Sequence, residues 1–297
     1  MVAHEENLSI STAVKTRSYV QLLKPRLSML VAFSCAFGYG LATRGDVNWL
    51  VLTVLTIAGF LLSGASVTIN QIMERDLDKL MERTKTRPLP TGRLTAQEAT
   101  YFAVLCAAAA IALLSVYTNW LTVILSAVSM VLYCWVYTPL KRVGPIAVFV
   151  GAFPGALPPL LGWIAATGAV SHEAMIIFGI QFIWQFPHFW AIAWVADDDY
   201  KKAGFKLLPS GGGKDVNTAI QIMVYTMFLI PLGLLPAKFG MTGIDSAIVA
   251  TVCGVAFFAA TFSLMKTRSR ESALRIMFGS FLYLPIVQIA YLLDKVG

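Results

Sequence analysis

Residues 49–78 read WLVLTVLTIAGFLLSGASVTINQIMERDLD, and this stretch indicates both the surroundings of the chain and its chemistry. Residues 49–69 contain no charged side chain, and a helix needs roughly 20 mostly apolar residues to cross a bilayer. Polar side chains then begin at Asn70 and continue with Glu74 and Asp78. The stretch predicts a membrane-spanning helix over 49–70 whose end carries acidic groups at the membrane surface.

The rest of the chain repeats this pattern of long apolar runs. Of its 297 residues, 57% are hydrophobic and 13% are charged, whereas soluble domains carry about 25% charged residues. We predict an all-α, polytopic membrane bundle, formed by a single domain over 1–297 with a polar cytoplasmic tail at 1–22. Its nine predicted spans are 27–43, 49–70, 99–117, 121–138, 145–167, 173–195, 219–237, 244–265 and 276–293.

The basic residues predict the orientation of these spans, because Lys and Arg concentrate in cytoplasmic loops. With the N-terminus in the cytoplasm, all 23 basic residues except Arg44, Lys238 and Lys295 fall on the cytoplasmic side. We therefore expect a multi-pass integral membrane protein with a cytoplasmic N-terminus and an external C-terminus. The net charge of +7 then reflects loops that face anionic lipid, so no nucleic-acid partner is expected.

The four cysteines argue against disulfide and zinc chemistry. None of them forms a C-x-x-C pair, and each lies inside an apolar run. Free cysteine is commonly a small buried residue, so packing is the favoured role. The four are Cys35, Cys106, Cys134 and Cys253.

An acidic face follows the second predicted span. Asn70, Glu74 and Asp78 are four residues apart, so on a helix they share one face, with steps of about 6 Å along the axis. Stacked carboxylates repel each other unless a cation lies between them, and carboxylate and amide oxygens suit Mg²⁺. The alternative is a solvated helix end whose acids pair with nearby basic residues. Asp76 falls on the opposite face and is treated as secondary.

Two further clusters are predicted at the same membrane face. Residues 82–92 contain Arg83 and Arg87, and arginine can hold a diphosphate through two hydrogen bonds. Residues 197–199 are three consecutive aspartates at the end of the sixth span. A second Mg²⁺ on these acids would clamp a diphosphate between metals. The alternative explanations are a solvated basic loop and pairing of the aspartates with the lysines that follow.

His188 is the only histidine inside a predicted span. A buried histidine is most often a hydrogen-bonded core residue, but polar groups inside a bilayer are frequently functional. This one could orient a diphosphate, act as an acid or base, or face the acceptor. Eight nearby aromatic residues could stabilise a cation with their ring faces, or they could simply fill the core or anchor the helices at the interface. They are Tyr133, Tyr137, Phe182, Trp184, Phe186, Phe189, Trp190 and Trp194.

These motifs resemble those of the UbiA-type intramembrane prenyltransferases. The resemblance is carried by N-x-x-x-E-x-x-x-D at 70–78, by Arg83-Thr-x-x-Arg87-Pro-Leu-x-x-Gly92, by Lys24-Pro25-Arg26 and by residues 137–142, YTPLKR. Pro187-His188-Phe-Trp and Asp198-Asp199-Tyr200-x-x-Ala-Gly are similar to the haem-using branch of that family. Glu74 replaces the usual aspartate, and Val195 stands where the second motif usually has an acid.

The resemblance implies a nine-helix bundle around a central cavity, with Mg²⁺ as the cofactor. The implied metal ligands are Asn70, Glu74, Asp78, Asp198 and Asp199, and the catalytic set adds His188 and Tyr200. The implied substrate-binding residues are Lys24, Arg26, Arg83, Arg87, Tyr137, Lys141, Arg142 and Lys206.

The implied reaction moves a farnesyl group from farnesyl diphosphate to a vinyl group of haem b, which gives haem O for terminal oxidase assembly. The expected location is a bacterial inner membrane, with oxidase-assembly proteins as possible partners. Two alternatives stay open at this stage. One is a family member that acts on an aromatic quinone precursor or chlorophyllide, and the other is a non-catalytic haem carrier or transporter.

Overall fold

The computed structural model describes residues 12–211 and 213–296, and all regular elements in these ranges are helices. The α-helices are α1 (Thr12–Leu22), α2 (Pro25–Ala42), α3 (Trp49–Met73), α4 (Arg75–Asp78), α5 (Ala96–Tyr117), α6 (Trp120–Val131), α7 (Thr138–Leu140), α8 (Ile146–Thr167), α9 (His172–Val195), α10 (Asp197–Lys202), α11 (Val216–Gly233), α12 (Leu235–Lys238), α13 (Ile244–Thr267) and α14 (Arg270–Leu293). A π-helical segment, Leu132–Tyr137, joins α6 to α7.

Eight helical segments of the described chain are long and apolar enough to cross a membrane. The helices α1 and α2, which meet at an angle of 44°, pass the same test only when they are taken together. The prediction of an all-α polytopic bundle is thus confirmed, with nine spans when this bent pair is counted as one. Large apolar side chains such as Val116, Trp120 and Ile244 are at least 70% exposed, as expected where lipid replaces water.

Close helix contacts hold the first span in the bundle. A Cβ atom at Gly38 would lie 1.9 Å from the carbonyl oxygen of Pro159, and one at Gly162 would lie 2.0 Å from that of Cys35. These glycines therefore let the backbones of α2 and α8 touch, which is how membrane helices associate where no hydrophobic effect drives them together.

Proline residues inside α8 leave two backbone carbonyls without helical hydrogen bonds, and side chains donate to them instead. Pro158 and Pro159 lack the N–H groups that would bond to the carbonyls of Pro154 and Gly155. The Oγ of Ser129 donates to Pro154 at 3.4 Å, and the Nε2 of Gln181 donates to Gly155 at 2.8 Å. Polar side chains inside the membrane thus repair the backbone of a proline-rich helix.

Contacts to other helices hold the first and last parts of the described chain, while residues 1–11 of the predicted tail lie outside the described residues. Lys15 of α1 pairs with Glu98 at the start of α5, whereas Lys295 donates to carbonyls of Gly40 and Thr43 at the end of α2. The four cysteines are free, as expected, and all except the half-buried Cys253 are buried.

Candidate active site

Four segments of the chain meet at the end of the bundle that carries α1. They are the turn between α1 and α2, the segment from the end of α3 through α4 into the loop at 79–95, the end of α7, and α10 with the loop that follows it. All of them bring charged side chains to the mouth of the central cavity. The sequence motifs at 70–92, 137–142 and 197–204 are therefore close together in space.

Asn70, Glu74 and Asp78 face inward, as their spacing predicts. Their exposed fractions are 2%, 5% and 0%. Glu74 separates α3 from α4, but the amide of Glu74 donates to the carbonyl of Asn70 and the amide of Asp78 donates to that of Glu74. These helical hydrogen bonds keep the three side chains on one face. Asp76, on the other face, is exposed and pairs with surface lysine and arginine.

Each inward residue has a partner from a distant part of the chain. The Nδ2 of Asn70 donates to the Oγ1 of Thr138 at 3.0 Å. The Nζ of Lys141 lies 2.8 Å and 3.0 Å from the two carboxylate oxygens of Glu74. Arg87 donates from Nη1 to the Oδ2 of Asp78 at 2.7 Å. Ion pairs with buried carboxylates thus join the loop at 79–95 to α4, and the end of α7 to the turn between α3 and α4.

Lys24 adds a third cation to this cluster. Its backbone is left-handed, with φ of 45°, and such strain in a residue other than glycine is concentrated at functional sites. Burial, together with the charges of Arg87 and Lys141, lowers the pKa of Lys24 from 10.5 to about 7. Three cations therefore surround the two carboxylates of Glu74 and Asp78, and this excess of positive charge favours the binding of an anion.

The second acidic cluster is attached to the first through backbone amides. The carboxylate of Asp199 accepts hydrogen bonds from the N–H groups of Glu82 and Arg83, at 3.2 Å and 3.1 Å. The Arg83 amide, assisted by Lys202, holds the pKa of Asp199 below its usual value. Arg83 in turn donates to the hydroxyl of Tyr200 at 3.2 Å and lies over its ring. The predicted Arg83, Asp199 and Tyr200 are therefore in one contact network.

Other predicted site residues lie outside this network. Asp198 is 88% exposed at its side chain and contacts only Lys214 among the described residues. Arg26 and Arg142 are exposed, and neither side chain makes a hydrogen bond or ion pair with residues 12–211 or 213–296. Lys206 is also exposed, although its amide donates to the carbonyl of Lys141. In residues 12–211 and 213–296, no three His, Cys, Asp or Glu side chains are grouped closely enough to hold a metal alone.

Two side-chain oxygens nonetheless fit a divalent cation. The Oδ1 atom of Asp78 is fully buried and accepts no hydrogen bond from the described residues, which costs free energy unless a cation or a donor reaches it. The side chain of Asn70 bonds to Thr138 through its Nδ2 atom, which leaves its Oδ1 atom available as a ligand on the same face. Hard oxygen donors of this kind suit Mg²⁺, which completes its shell with water and phosphate oxygens.

An apolar cavity extends from the charged cluster into the membrane. Tyr137 connects the two, because its ring lines the cavity and lies 5.0 Å from the Nζ of Lys141. Gly151 makes room for this ring, since a Cβ there would lie 2.6 Å from Tyr137. Deeper parts of the wall include Cys35, Leu55, Leu114 and Leu161. The arrangement can hold an anion at the charged end and a long hydrocarbon chain inside.

Few of the aromatic residues singled out from the sequence line this cavity. Phe189, Tyr133 and Tyr137 do, whereas Trp184 stacks on His188, and Phe186 packs against Tyr225. His188 itself lies between α9 and α14, away from the ion pairs, and contacts Ser280. The core-filling interpretation therefore holds for most of these rings.

Gln185 is a cavity residue that the sequence interpretation missed. Its Nε2 donates to the carbonyl of Ala152 at 2.9 Å, and its side chain lines the otherwise apolar wall. Glutamine inside an apolar span is itself a signal of function or of backbone repair, as with Gln181 one turn earlier.

Comparison with known proteins identifies the family. The model of the UbiA prenyltransferase family matches residues 31–284. This chain belongs to the UbiA prenyltransferase family. A protoheme IX farnesyltransferase from Cytophaga hutchinsonii is 54% identical over 284 residues, covering 96% of this chain and 99% of the relative. One from Flavobacterium johnsoniae is 41% identical and covers 99% of both chains.

Solved structures share the fold of this UbiA family member. The structure of a digeranylgeranylglyceryl phosphate synthase superposes with a TM-score of 0.77 at 20% identity, covering 94% of this chain and 98% of that one. A UbiA homologue from Archaeoglobus fulgidus, bound to GPP and Mg²⁺, superposes with a TM-score of 0.64 at 17% identity, covering 92% and 99%. The chain is a multi-pass integral membrane protein with the architecture of these enzymes.

Proposed function

We propose that this protein transfers a farnesyl group from farnesyl diphosphate to a vinyl group of haem b, and so produces haem O for terminal oxidases. The observation that carries the proposal is the charged cluster of Lys24, Arg87 and Lys141 at the mouth of an apolar cavity. It matches a substrate with a diphosphate head and a hydrocarbon tail. The choice of haem rests on the protoheme IX farnesyltransferases to which the chain is 54% and 41% identical.

The proposed chemistry starts with the departure of the diphosphate. The C1–O bond of farnesyl diphosphate breaks, and its electron pair leaves with the diphosphate. Lys24, Arg83, Arg87 and Lys141 would hold the phosphate oxygens, and preorganised charge of this kind is commonly the largest catalytic contribution. Asn70 and Asp78 would hold Mg²⁺ through their Oδ1 atoms, and the bound metal would help to neutralise the leaving group. Glu74, Asp198 and Asp199 stay predicted ligands, since Lys141, Lys214 and backbone amides contact them here.

The allylic cation then needs an electron-rich wall that excludes water. Tyr133 and Tyr137 line the cavity at its charged end, with ring centroids 5.3 Å apart, so their faces can stabilise the cation. The vinyl group attacks C1 and forms a carbon–carbon bond. Water adds to the resulting cation and loses a proton, which leaves a hydroxyethylfarnesyl group on the porphyrin.

The proposed orientation places the charged cluster at the cytoplasmic side of a bacterial inner membrane. It rests on the bias of basic residues toward loops at that end of the bundle. Farnesyl diphosphate, a water-soluble anion, would then enter from the cytoplasm, while the haem acceptor would come from the bilayer. Interaction with oxidase-assembly proteins remains part of this proposal.

The experiment that tests the function is product analysis with purified protein in lipid nanodiscs. Haem b, farnesyl diphosphate and Mg²⁺ are supplied, and mass spectrometry looks for haem with one farnesyl and one hydroxyl group added. A parallel panel offers aromatic quinone precursors and chlorophyllide as acceptors. Prenylation of one of those acceptors but not of haem would refute the acceptor assignment. Haem transport into liposomes without diphosphate consumption would refute catalysis altogether.

A further inference from the structure

Gln185 of α9 brings an amide group to the wall of the apolar cavity. The residue is 2% exposed, and its side chain lines the cavity. Its Nε2 atom donates to the carbonyl oxygen of Ala152 at 2.9 Å and to that of Gln181 at 3.4 Å. Because a carbonyl oxygen can only accept, both hydrogens of the amide nitrogen are used, and the positions of the nitrogen and the oxygen are fixed.

The Oε1 atom of the same amide is an acceptor without a donor. No described residue donates a hydrogen bond to it, although the side chain is almost fully buried. Gly155, which also lines the cavity, makes room for this oxygen, because a Cβ there would lie 2.0 Å from Oε1. A buried acceptor costs free energy unless a donor reaches it, so a molecule in the cavity that carries an O–H group can bind here.

This acceptor lies close to the place where the prenyl group would react. Tyr137 joins the charged cluster to the cavity, so C1 of a bound farnesyl diphosphate would lie beside its ring. Gly151 packs against that ring, and the next residue of α8, Ala152, accepts the hydrogen bond from Gln185. Two consecutive residues of α8 thus place the ring and the amide side by side.

We propose that Gln185 is the positioning residue for the water that ends the reaction. This inference rests on the proposed function, in which attack of the vinyl group on C1 leaves a cation on the carbon next to the porphyrin ring. In an apolar cavity water stays only where polar atoms hold it, and Oε1 of Gln185 accepts one O–H of that water. A lone pair of the water oxygen forms the C–O bond to the cation. The released proton passes to the diphosphate, whose oxygen received the electron pair of the C1–O bond.

Without a positioned water the same cation has a different outcome. It can lose a proton from the neighbouring carbon, which now carries the farnesyl group, and this leaves a carbon–carbon double bond and no hydroxyl group. The product then lacks the elements of water, so mass spectrometry distinguishes it from the hydroxyethylfarnesyl product. The ratio of the two products reports the placement of water, whereas a loss of stability lowers total turnover.

The test measures this ratio for protein in lipid nanodiscs supplied with haem b, farnesyl diphosphate and Mg²⁺. Gln185→Met keeps the length of the side chain and removes the acceptor, so the ratio of hydroxylated to dehydrated product should fall about tenfold, the effect of one lost hydrogen bond. Gln185→Asn keeps the amide but withdraws its oxygen by one carbon, and the ratio should fall there as well, so the test does not depend on the folding of the methionine variant. Gln185→Glu keeps an acceptor oxygen at the same distance from the backbone and should keep the wild-type ratio.

Gln181→Met is the matched control. Gln181 lies one turn earlier on α9, and its Nε2 atom donates to the carbonyl of Gly155 in the same part of α8, at 2.8 Å. Its Oε1 atom already accepts from Gln288, and the residue lies outside the described wall of the central cavity. Loss of this side chain should lower the unfolding temperature and leave the product ratio unchanged.

The outcomes distinguish this inference from the proposed function. An unchanged product ratio in Gln185→Met and Gln185→Asn, or an equal fall in Gln181→Met, would overturn the placement of water while leaving haem as the acceptor. A wild-type protein that adds no farnesyl group to haem would instead overturn the proposed function, and this inference with it.

Discussion

Asp78→Asn tests most directly how the charged cluster contributes to stability and catalysis. The substitution keeps the size of the side chain and removes one negative charge. Asp78 is 0% exposed, its Oδ2 accepts a hydrogen bond from Arg87 at 2.7 Å, and its Oδ1 has no hydrogen-bond partner in the part of the chain that the structure describes. Loss of the charge-assisted bond should lower folding stability by about 1.5–3 kcal/mol. Loss of one preorganised charge at the leaving group should lower kcat by about 10²–10³-fold.

The matched control is Asp76→Asn, the same chemical change two residues away. Asp76 is 69% exposed at its side chain and pairs with Lys79 and Arg75 at the surface. Exposed ion pairs contribute little, so we expect neither activity nor stability to change measurably. Both variants are assayed in nanodiscs by haem O formation over a range of Mg²⁺ concentrations.

The Mg²⁺ titration separates loss of a ligand from loss of structure. Asp78→Asn should need a higher Mg²⁺ concentration for half-maximal rate, and excess metal should recover part of the activity. A merely misfolded protein would lose rate without a shift in this midpoint. Near-normal rate and midpoint in Asp78→Asn would refute the assigned metal role.

Three other predictions follow from the same contacts. The pKa of Lys24 is lowered to about 7, and a bound diphosphate favours the charged form of this side chain. The affinity for farnesyl diphosphate, measured by calorimetry, should therefore fall as the pH rises above 7. In Lys24→Arg the affinity should lose this pH dependence. Gly162→Ala should lower the temperature of unfolding, because its Cβ would overlap the α2 backbone and overpacking costs about 1–3 kcal/mol. Gly179→Ala places its Cβ in open space and should leave the unfolding temperature unchanged. Tyr200→Phe should raise the KM for farnesyl diphosphate severalfold in steady-state kinetics, because Arg83 loses the hydroxyl that holds it.

Each of these has an outcome that contradicts it. A diphosphate affinity of Lys24→Arg that falls above pH 7 as in the wild type would assign the titration to another group. Equal unfolding temperatures for the Gly162 and Gly179 variants would show that the α2–α8 contact is not tight. An unchanged KM in Tyr200→Phe would leave Arg83 positioned by the loop backbone alone.

The membrane architecture could be predicted from the sequence because it depends on local composition. Uncharged runs such as 49–69 have few alternatives to a spanning helix, and the basic loops alternate with them. The bend at Lys24 and the π-helical segment at Leu132–Tyr137 could not be predicted in this way. Both are backbone distortions that lie beside contacts from distant parts of the chain. Gln71 donates to the carbonyl of Leu22 just before the bend, and Asn70 donates to Thr138 just after the π-helical segment.

The candidate site was predictable only where helical periodicity applies. The i, i+4 spacing places Asn70, Glu74 and Asp78 on one inward face, as the structure has them. Their partners come from far along the chain, however, and Lys141 reaches Glu74 across 67 residues. The binding of Asp199 to backbone amides was equally hidden, because no side-chain pattern encodes it. Sequence spacing therefore indicates which acids matter but not which cations lie against them.

The aromatic residues illustrate a second limit. A ring in an apolar span can face the cavity, another helix or lipid, and the sequence does not distinguish these positions. Trp184 stacks on His188, and Phe186 packs in the core beside Tyr225. Trp184 and Phe186 nevertheless lie on the same helix as Phe189, which lines the cavity. Only the rotation of α9 against its neighbours decides among these roles.

A structure of the protein with Mg²⁺ and an unreactive thiolodiphosphate analogue of farnesyl diphosphate tests the central claim most directly. We expect the diphosphate to lie between the acidic residues that follow α3 and the loop at 79–95, whose backbone amides bind Asp199. Mg²⁺ should lie about 2.0–2.1 Å from the Oδ1 of Asp78. The farnesyl chain should lie in the cavity beside Tyr133 and Tyr137. A diphosphate bound elsewhere, with the Oδ1 of Asp78 still lacking a partner, would contradict the account.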